Sequence, residues 1–308
     1  NVEPDAVIQS IDAPTIYQVP LLMHEQHLDE IVLRKMDITP EGEPDLTAWN
    51  AFLHKLSTAS EEVNIGLVGK YVQLQDAYKS INESLSQAAV HCGRKLNLTY
   101  VNSEKLSEDN AGEHLKDLDG VVIAPGFGQR GIEGKFHAIK WTREHDVPTF
   151  GICLGMQCMV IEFARNVLCL EEANSTEMDT KTPHNVIDLM EEQKSISNMG
   201  GTMRLGAYEC ELKPDSRVAE AYGSTRVSER HRHRFEFNGE YRDRFDQGGM
   251  RCVGTNPETG LVEVVEIPEK RWFIGTQYHP EYQSTVLHPN PLFISFIKAA
   301  VAYREDRK

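Results

Sequence analysis

The sequence predicts an α/β fold in which a mostly parallel central sheet is flanked by helices and extended by additional antiparallel strands. Apolar, β-prone runs alternate with helical patterns from residue 63 to residue 165, and strands that alternate with helices form parallel sheets. Beyond residue 175 the apolar runs become shorter, which predicts the antiparallel strands. The chain has 308 residues, of which 40% are hydrophobic, so it can bury a large core.

The first 62 residues are predicted to lie outside this fold. Three short patterns occupy residues 1–40: a strand at 6–11, a turn at 12–20 and a helix at 21–36. Because these elements are too few to fold alone, we interpret them as the end of a missing domain, and the start at Asn1 instead of Met agrees with a fragment. Residues 41–62 are predicted to be a polar linker with one short helix, at 46–56.

Residues 63–308 are predicted to form the main domain. Its first half has strands at 63–68, 96–101, 118–124 and 147–152, and helices at 77–92, 131–144 and 154–165. Its second half has strands at 203–212, 225–229, 261–267 and 272–277, and a closing helix at 292–303. Ligands bind beyond the carboxyl ends of the strands in such sheets, so the turns after residues 124 and 152 are the expected places for a site.

Cys153 lies at the junction between a predicted strand and the helix that follows. Gly151 and Gly155 flank it and lack the Cβ atoms that would clash in a sharp turn, as in the G-x-S-x-G nucleophile elbow with sulfur in place of oxygen. A helix N-terminus beneath the sulfur favours the thiolate, and the N–H of Leu154 can point at an oxyanion. Alone, the motif is also compatible with a small buried cysteine.

His279 and Glu281 complete a catalytic arrangement. His279 follows the strand pattern at 272–277 and should emerge at a strand end, where Glu281 can accept a hydrogen bond from its imidazole. Taken singly, the two are typical of a turn histidine and a solvated carboxylate. Together with Cys153 they correspond to a nucleophile, its base and the residue that orients the base.

The composition excludes several classes of partner. A net charge of −15 disfavours nucleic acid and anionic membranes, because both are polyanions that such a chain repels. Six cysteines are scattered without C-x-x-C pairs in a chain too large to need disulfides, which predicts a reduced, cytoplasmic protein. The sequence contains no uncharged apolar run of about 18 residues, so no membrane span is predicted.

Three other motifs suggest a bound ligand, and the spacing of their residues decides which ligand is favoured. Residues 126–131 (GFGQRG) satisfy a dinucleotide pattern formally but follow the third predicted strand, so a tight turn near a substrate carbonyl is preferred. Residues 131–136 resemble a phosphate loop only superficially, because Phe136 stands where Ser or Thr should hold a metal. Residues 230–234 (RHRHR) are compatible with a solvated strand face or with binding of nucleic acid or a metal. The favoured interpretation is that an arginine of this motif binds a substrate carboxylate.

Six motifs in residues 63–308 carry a family resemblance: PGFGxRG, GICLGMQ, NSTE, GGTMRLG, RHRHRFE and YHPE. Together they resemble the glutaminase domain of the CTP synthases, which are class I (triad) glutamine amidotransferases with a flavodoxin-like sheet. GICLGMQ and HPE alone indicate only the amidotransferase superfamily. GGTMRLG, RHRHRFE and residues 10–20 (SIDAPTIYQVP) point to the CTP synthases, and residues 10–20 resemble the end of their synthetase domain.

The resemblance implies a role for each matching residue. Cys153 is implied to be the nucleophile, His279 the general base and then acid, and Glu281 the orienting residue. The implied substrate contacts are the oxyanion donors Gly126 and Leu154, Phe127 along the glutamine chain, the pocket residues Leu154, Gly155, Met156 and Gln157, Glu177 for the α-ammonium and Arg234 for the α-carboxylate. The family often has Pro-Gly-Gly-Phe-Gly, whereas Pro125 directly precedes Gly126 here, so the N–H group that completes the oxyanion hole stays open.

The implied reaction is hydrolysis of L-glutamine through a Cys153 thioester to glutamate and ammonia. In the family, ammonia is channelled to a UTP that ATP has phosphorylated, and the product of this step of pyrimidine biosynthesis is CTP. The resemblance implies Mg²⁺ and ATP in the missing synthetase domain, GTP as an effector, neither cofactor nor metal in this chain, and a homotetramer at full length. L-glutamine and the synthetase domain are the expected partners.

Two other functions stay open from the sequence. Another triad glutaminase or a γ-glutamyl hydrolase would share the elbow and the HPE motif, although RHRHRFE and residues 10–20 speak against it. A catalytically silent amidotransferase-like assembly protein would have no need of Cys153, His279 and Glu281.

Overall fold

The computed structural model describes residues 2–189 and 203–307, except for the side chain of Gln75. The first three residues of the GGTMRLG motif, 200–202, lie outside the described residues. The chain divides into two compact units, Asn1–Thr58 and Ala59–Lys308. The domain boundaries that we expect from the sequence, after residues 40 and 62, stay a prediction.

The first unit contains, in its described part, the helices α1 (Val19–Glu25), α2 (Leu28–Lys35) and α3 (Thr47–Thr58). The strand predicted at 6–11 is wrong, because no other strand lies among the described residues of this unit to pair with it. The single helix predicted at 21–36 is two helices, since His27 adopts a left-handed φ of 58° between them. A small core forms around Tyr17 and Phe52, whose ring centroids lie 5.0 Å apart.

The second unit is built around a nine-stranded sheet, counted over its described residues. Its strands in chain order are β1 (Glu62–Gly69), β2 (Lys95–Asn102), β3 (Gly120–Ile123), β4 (Thr149–Ile152), β7 (Arg204–Leu212), β8 (Arg226–His233), β10 (Arg251–Thr255), β11 (Val262–Glu266) and β12 (Phe273–Thr276). A smaller sheet contains β5 (Asn174–Ser175), β6 (Asn185–Leu189) and β9 (Phe235–Phe237). The helices are α4 (Lys79–His91), α5 (Ala111–Leu115), α6 (Ile132–Glu144), α7 (Leu154–Asn166), α8 (Arg217–Tyr222), α9 (Arg242–Gly248) and α10 (Pro291–Asp306).

The order of the large sheet is β2-β1-β3-β4-β12-β11-β10-β7-β8. The five strands from β2 to β12 pair in parallel, and the pairs from β12 to β8 are antiparallel. The predicted α/β class, with a parallel centre and added antiparallel strands, is therefore confirmed. The order 2-1-3-4 at one side is also that of flavodoxin-like sheets.

The central parallel strands β3, β4 and β12 are buried on both faces, which explains why they appear in the sequence as continuous apolar runs. One apolar layer includes α10, where Phe293 and Phe296 lie with ring centroids 5.3 Å and 6.0 Å from Phe150 on β4. The other layer includes α6 and α7. Helices on both faces thus fix β4, and with it the position of residue 153 at its carboxyl end.

Among the strands and α-helices in the described part of this unit, the sequence patterns do not predict seven: β5, β6, β9, β10, α5, α8 and α9. All are seven residues long or shorter, which is too short for a clear helical or strand period. In addition, β8 continues to His233, beyond the strand predicted at 225–229, so most of the RHRHR motif is strand.

Candidate active site

A single residue makes the turn between β4 and α7. β4 ends at Ile152, α7 begins at Leu154, and Cys153 between them has φ 52° and ψ −107°, a combination that residues other than glycine rarely adopt. The Cys153 N–H donates to the carbonyl of Thr276 at 2.7 Å, which ties the strained turn to the end of β12. The thiol is therefore held at the N-terminus of α7, where the helix dipole favours a negative charge.

The two glycines of the elbow are required by its close packing. A Cβ atom on Gly151 would lie 2.2 Å from the sulfur of Met159, and one on Gly155 would lie 2.1 Å from the carbonyl oxygen of Ile123. Gly155 and the buried Met156 thus lie behind the elbow, whereas the family resemblance implies that both line the substrate pocket. With about 3.6 residues per helical turn, Gly155 and Met156 face the sheet while Leu154 and Gln157 line the cavity, which explains the difference.

His279 and Glu281 lie just beyond the end of β12, and both are about 5% exposed. Nδ1 of His279 is 2.8 Å from a carboxylate oxygen of Glu281, while Nε2 has no hydrogen-bond partner of ordinary geometry among the described residues. Burial opposes a charge on the ring, but the nearby Cys153 side chain and the hydrogen bond to Glu281 outweigh it and raise the pKa of His279 to about 11. The imidazole of His279 is therefore protonated near neutral pH.

A narrow cavity opens beside the thiol. Its lining consists of Gly126, Phe127, Cys153, Leu154, Gln157, Glu177, His233, Arg234 and Phe235. Seven of these nine are among the eleven site residues predicted from the sequence. The additions are His233 and Phe235, which belong to or directly follow the RHRHR motif.

Gln277 is another residue near the thiol that is not predicted from the sequence. Its side-chain N–H group lies 3.6 Å from the sulfur of Cys153, and its oxygen accepts a hydrogen bond from Gln157 at 3.1 Å. Gln157 in turn donates to the carbonyl of Phe235 at 2.9 Å. The signal for Gln277 was its place two residues before His279 at a strand end, but an amide gives no catalytic signature in a sequence.

Two opposite charges in the cavity lack charged partners among the described residues. Arg234 forms no ion pair there, and its buried Nε has no hydrogen-bond partner. Glu177 accepts one hydrogen bond, from the N–H of Gly128 at 3.1 Å, and faces no cation within ion-pair distance. A pocket with an unpaired guanidinium and an unpaired carboxylate is complementary to a zwitterion such as an α-amino acid.

Backbone N–H groups near the thiol are also available. Within the described part of the chain, the N–H groups of Gly126 and Phe127 donate no hydrogen bond, and Leu154 is the first residue of α7, where helix N–H groups lack intrahelical partners. Unpaired N–H groups beside a nucleophile can stabilise an oxyanion. All three remain candidates for that role.

Comparisons with known proteins agree with this geometry. Residues 73–299 match the family described as glutamine amidotransferase class I. The chain belongs to the class I glutamine amidotransferase family. A solved structure, the glutaminase domain of a Trypanosoma brucei CTPS with bound acivicin, is 36% identical with a TM-score of 0.74, and the match covers 78% of this chain and 94% of that one.

Curated relatives of this amidotransferase carry the name CTP synthase. Those of Bacteroides fragilis and Porphyromonas gingivalis are 65% identical over 301 residues and 60% identical over 308 residues, which is 98% and 100% of this chain. The same matches cover only 56% and 57% of the relatives, so the chain spans a little over half of their length. A putative GMP synthase subunit from Thermoplasma acidophilum, 15% identical with a TM-score of 0.51, supports the fold alone.

The RHRHR motif of the amidotransferase has two faces. Arg230 and Arg232 are exposed on β8, whereas His231 and His233 are buried and lie 2.8 Å apart through Nδ1 and Nε2. Burial lowers the pKa of both imidazoles, so they stay neutral. Over the described residues, no cluster of three or more His, Cys, Asp or Glu side chains is arranged to hold a metal ion, and no helix there is long and apolar enough to span a membrane.

Glu229, on the buried face of β8, makes the stability of the amidotransferase depend on pH. One carboxylate oxygen accepts hydrogen bonds from Tyr222 at 2.7 Å and Asn290 at 3.0 Å, and the other has no partner among the described residues. Burial, aided by the charge of Glu281, raises the pKa of Glu229 from 4.5 to about 7. The folded protein therefore holds a proton that the unfolded chain has released between these two pH values.

We expect the free energy of unfolding to decrease as the pH rises from about 5 to 8, and Glu229→Gln to reduce this decrease by roughly 3 kcal/mol. Glutamine keeps the acceptor for Tyr222 and Asn290 but does not titrate. Urea unfolding at several pH values measures the effect, with the exposed Glu211→Gln as the matched control. Identical pH slopes for wild type and Glu229→Gln would contradict the expectation.

Proposed function

We propose that this amidotransferase hydrolyses L-glutamine with Cys153 as the nucleophile and acts as the glutaminase part of a CTP synthase. One observation carries the proposal: a thiol at a strained elbow opens into the same cavity as an unpaired arginine and an unpaired carboxylate. That combination suits glutamine, because its reactive amide and its zwitterionic end are separated by a short apolar chain.

Binding follows from the charges of the cavity. Arg234 receives the α-carboxylate, for which a planar guanidinium is well suited, and Glu177 receives the α-ammonium. Phe127 lines the cavity and contacts the methylene groups between the two ends. The γ-amide then reaches Cys153, which lies at the other side of the lining.

The chemistry uses the dyad beside the elbow. The Cys153 thiolate attacks the amide carbon, and N–H groups of Leu154 and of Gly126 or Phe127 stabilise the oxyanion. His279 donates its proton to the departing nitrogen, so ammonia leaves and a glutamyl thioester forms. His279 then accepts a proton from water, which attacks the thioester and releases glutamate together with the thiolate. Glu281 orients the imidazole throughout.

The acceptor of the ammonia lies outside this chain. The relatives called CTP synthase are nearly twice as long, which supports a synthetase part that is not included here. We assign UTP, ATP and Mg²⁺ to that part, GTP to an effector role, a homotetramer to the full-length protein, and residues 1–40 to the end of the synthetase domain, before a linker at 41–62. The six cysteines are free, which supports a reducing, cytoplasmic location.

The purified chain is expected to hydrolyse glutamine slowly, because it lacks the part that would couple nucleotide binding to closure of the pocket. With UTP, ATP, Mg²⁺ and ammonium it should make no CTP, whereas the full-length protein should. Glutamate release and chromatography of nucleotides measure the two activities. Formation of CTP by this chain alone would contradict the proposal that the synthetase activity lies in another part of the protein. Faster cleavage of γ-glutamyl peptides than of glutamine would contradict the assignment of glutamine as the substrate.

A further inference from the structure

Two lysine side chains hold the turn that forms one wall of the cavity. The turn comprises residues 124–128, between β3 and α6. Nζ of Lys135, from the first turn of α6, donates to the carbonyl of Ala124 at 2.5 Å. Nζ of Lys70, which directly follows β1, donates to the carbonyl of Phe127. Two ammonium groups from separate elements thus fix both ends of the turn.

The burial of Lys135 is costly and needs a reason. Its side chain is 1% exposed, and no carboxylate forms an ion pair with it among the described residues. Burial lowers the pKa of its ammonium group, and the charged or ionisable groups that act on it are Cys158, Lys70 and Cys153. An apolar side chain of the same length would fill this space without desolvating a charge. Packing alone therefore does not account for a lysine here.

The hydrogen bonds of the two lysines determine which groups of the turn remain available. Between the held carbonyls lie the N–H groups of Gly126 and Phe127, which have no partner in the described part of the chain. The carbonyl bound by Lys70 shares a peptide with the N–H of Gly128, which donates to Glu177. A cation at one side of a peptide polarises it and strengthens the donor at the other side, so Lys70 acts on Glu177 through one peptide.

We propose that Lys135 and Lys70 are positioning residues for glutamine hydrolysis: they hold the turn so that its free N–H groups face the oxyanion and Glu177 faces the α-ammonium. Neither lysine lines the cavity, so both act through the backbone that they bind. The inference rests on the proposed glutaminase function and adds two residues to its machinery.

The variants Lys135→Met and Lys70→Met test the proposal, with the exposed Lys79→Met as the matched control. For Lys135→Met we expect an unchanged or higher melting temperature and unchanged alkylation of Cys153 by iodoacetamide, but a kcat for glutamine that falls about tenfold to a hundredfold. Lys70→Met should lower kcat and also raise KM through Glu177, and Lys70→Arg should restore part of the loss. Lys79→Met should match wild type.

The outcomes separate this inference from the function on which it rests. Absence of glutamine turnover in the wild type would contradict the proposed function. If the wild type turns over glutamine and the kcat of Lys135→Met lies within twofold of the wild-type kcat, the positioning role is overturned. It is also overturned if Lys135→Met loses iodoacetamide reactivity as much as it loses kcat, because the lysine would then act on the thiol itself. If Lys135→Met does not fold, an unchanged kcat and KM in Lys70→Met overturns the proposal, and a loss rescued by Lys70→Arg supports it.

Discussion

Replacement of Cys153 by alanine is expected to reduce glutamine hydrolysis by a factor on the order of a thousand or more, because the thioester cannot form and only binding and oxyanion stabilisation remain. Two of the other thiols, Cys158 and Cys252, cannot take over the reaction. Burial raises the pKa of Cys158 to about 11 and that of Cys252 to about 12, so neither supplies a thiolate near neutral pH. Ammonia release measures the effect.

The control for this variant is Cys169→Ala. Cys169 is exposed and does not line the cavity, so its loss should leave the rate unchanged. Comparable rates for Cys153→Ala and wild type would contradict the assignment of the nucleophile. A loss of activity in Cys169→Ala would move the nucleophile away from the elbow.

Replacement of Arg234 by alanine is expected to raise KM for glutamine roughly 30-fold to a few thousandfold, since removing one partner of a charged hydrogen bond costs about 2 to 5 kcal/mol. The effect on kcat should be much smaller. The α-carboxylate is remote from the reacting amide, so its contact is nearly the same in the ground state and the transition state. Steady-state kinetics separates the two parameters.

Arg230→Ala is the matched control for Arg234→Ala. Arg230 is exposed on the same stretch of chain, and its side chain does not line the cavity. Equal KM values in the two variants would indicate that Arg234 is a solvated side chain that does not bind the α-carboxylate. A reduced kcat with unchanged KM would place Arg234 at the reacting centre instead of at the α-carboxylate.

The features that the sequence predicts are local ones. The alternation of apolar runs and helical patterns is sufficient for the parallel sheet, and the sequence around Cys153 is sufficient for the elbow, because β4, the turn and α7 are contiguous. The strand predicted at 6–11 is wrong since strand pairing depends on a partner elsewhere in the chain. Neither pattern nor propensity indicates the left-handed residue at His27.

The sequence does not predict several polar contacts of the site, most of which join residues far apart in the chain. His231 and His233 lie on the buried face of β8, but they follow the strand predicted at 225–229, so the sequence pattern does not indicate their contact. The contact of Gln277 with Cys153 joins residues 124 positions apart. The same holds for Lys70 and the turn near Phe127, 57 positions away. The family resemblance predicts residues that line the cavity, but it does not predict the groups that hold those residues in place.

Labelling with 6-diazo-5-oxo-norleucine, a reactive glutamine mimic, tests most directly whether the elbow and cavity form a glutaminase site. Tandem mass spectrometry of the tryptic peptide 144–165 distinguishes Cys153 from Cys158, since this peptide carries both. We predict an adduct on Cys153 alone, formed more slowly when L-glutamine is present. An adduct on Cys158 or Cys169, or labelling of Cys153 that glutamine does not slow, would contradict a glutamine-binding pocket at this thiol.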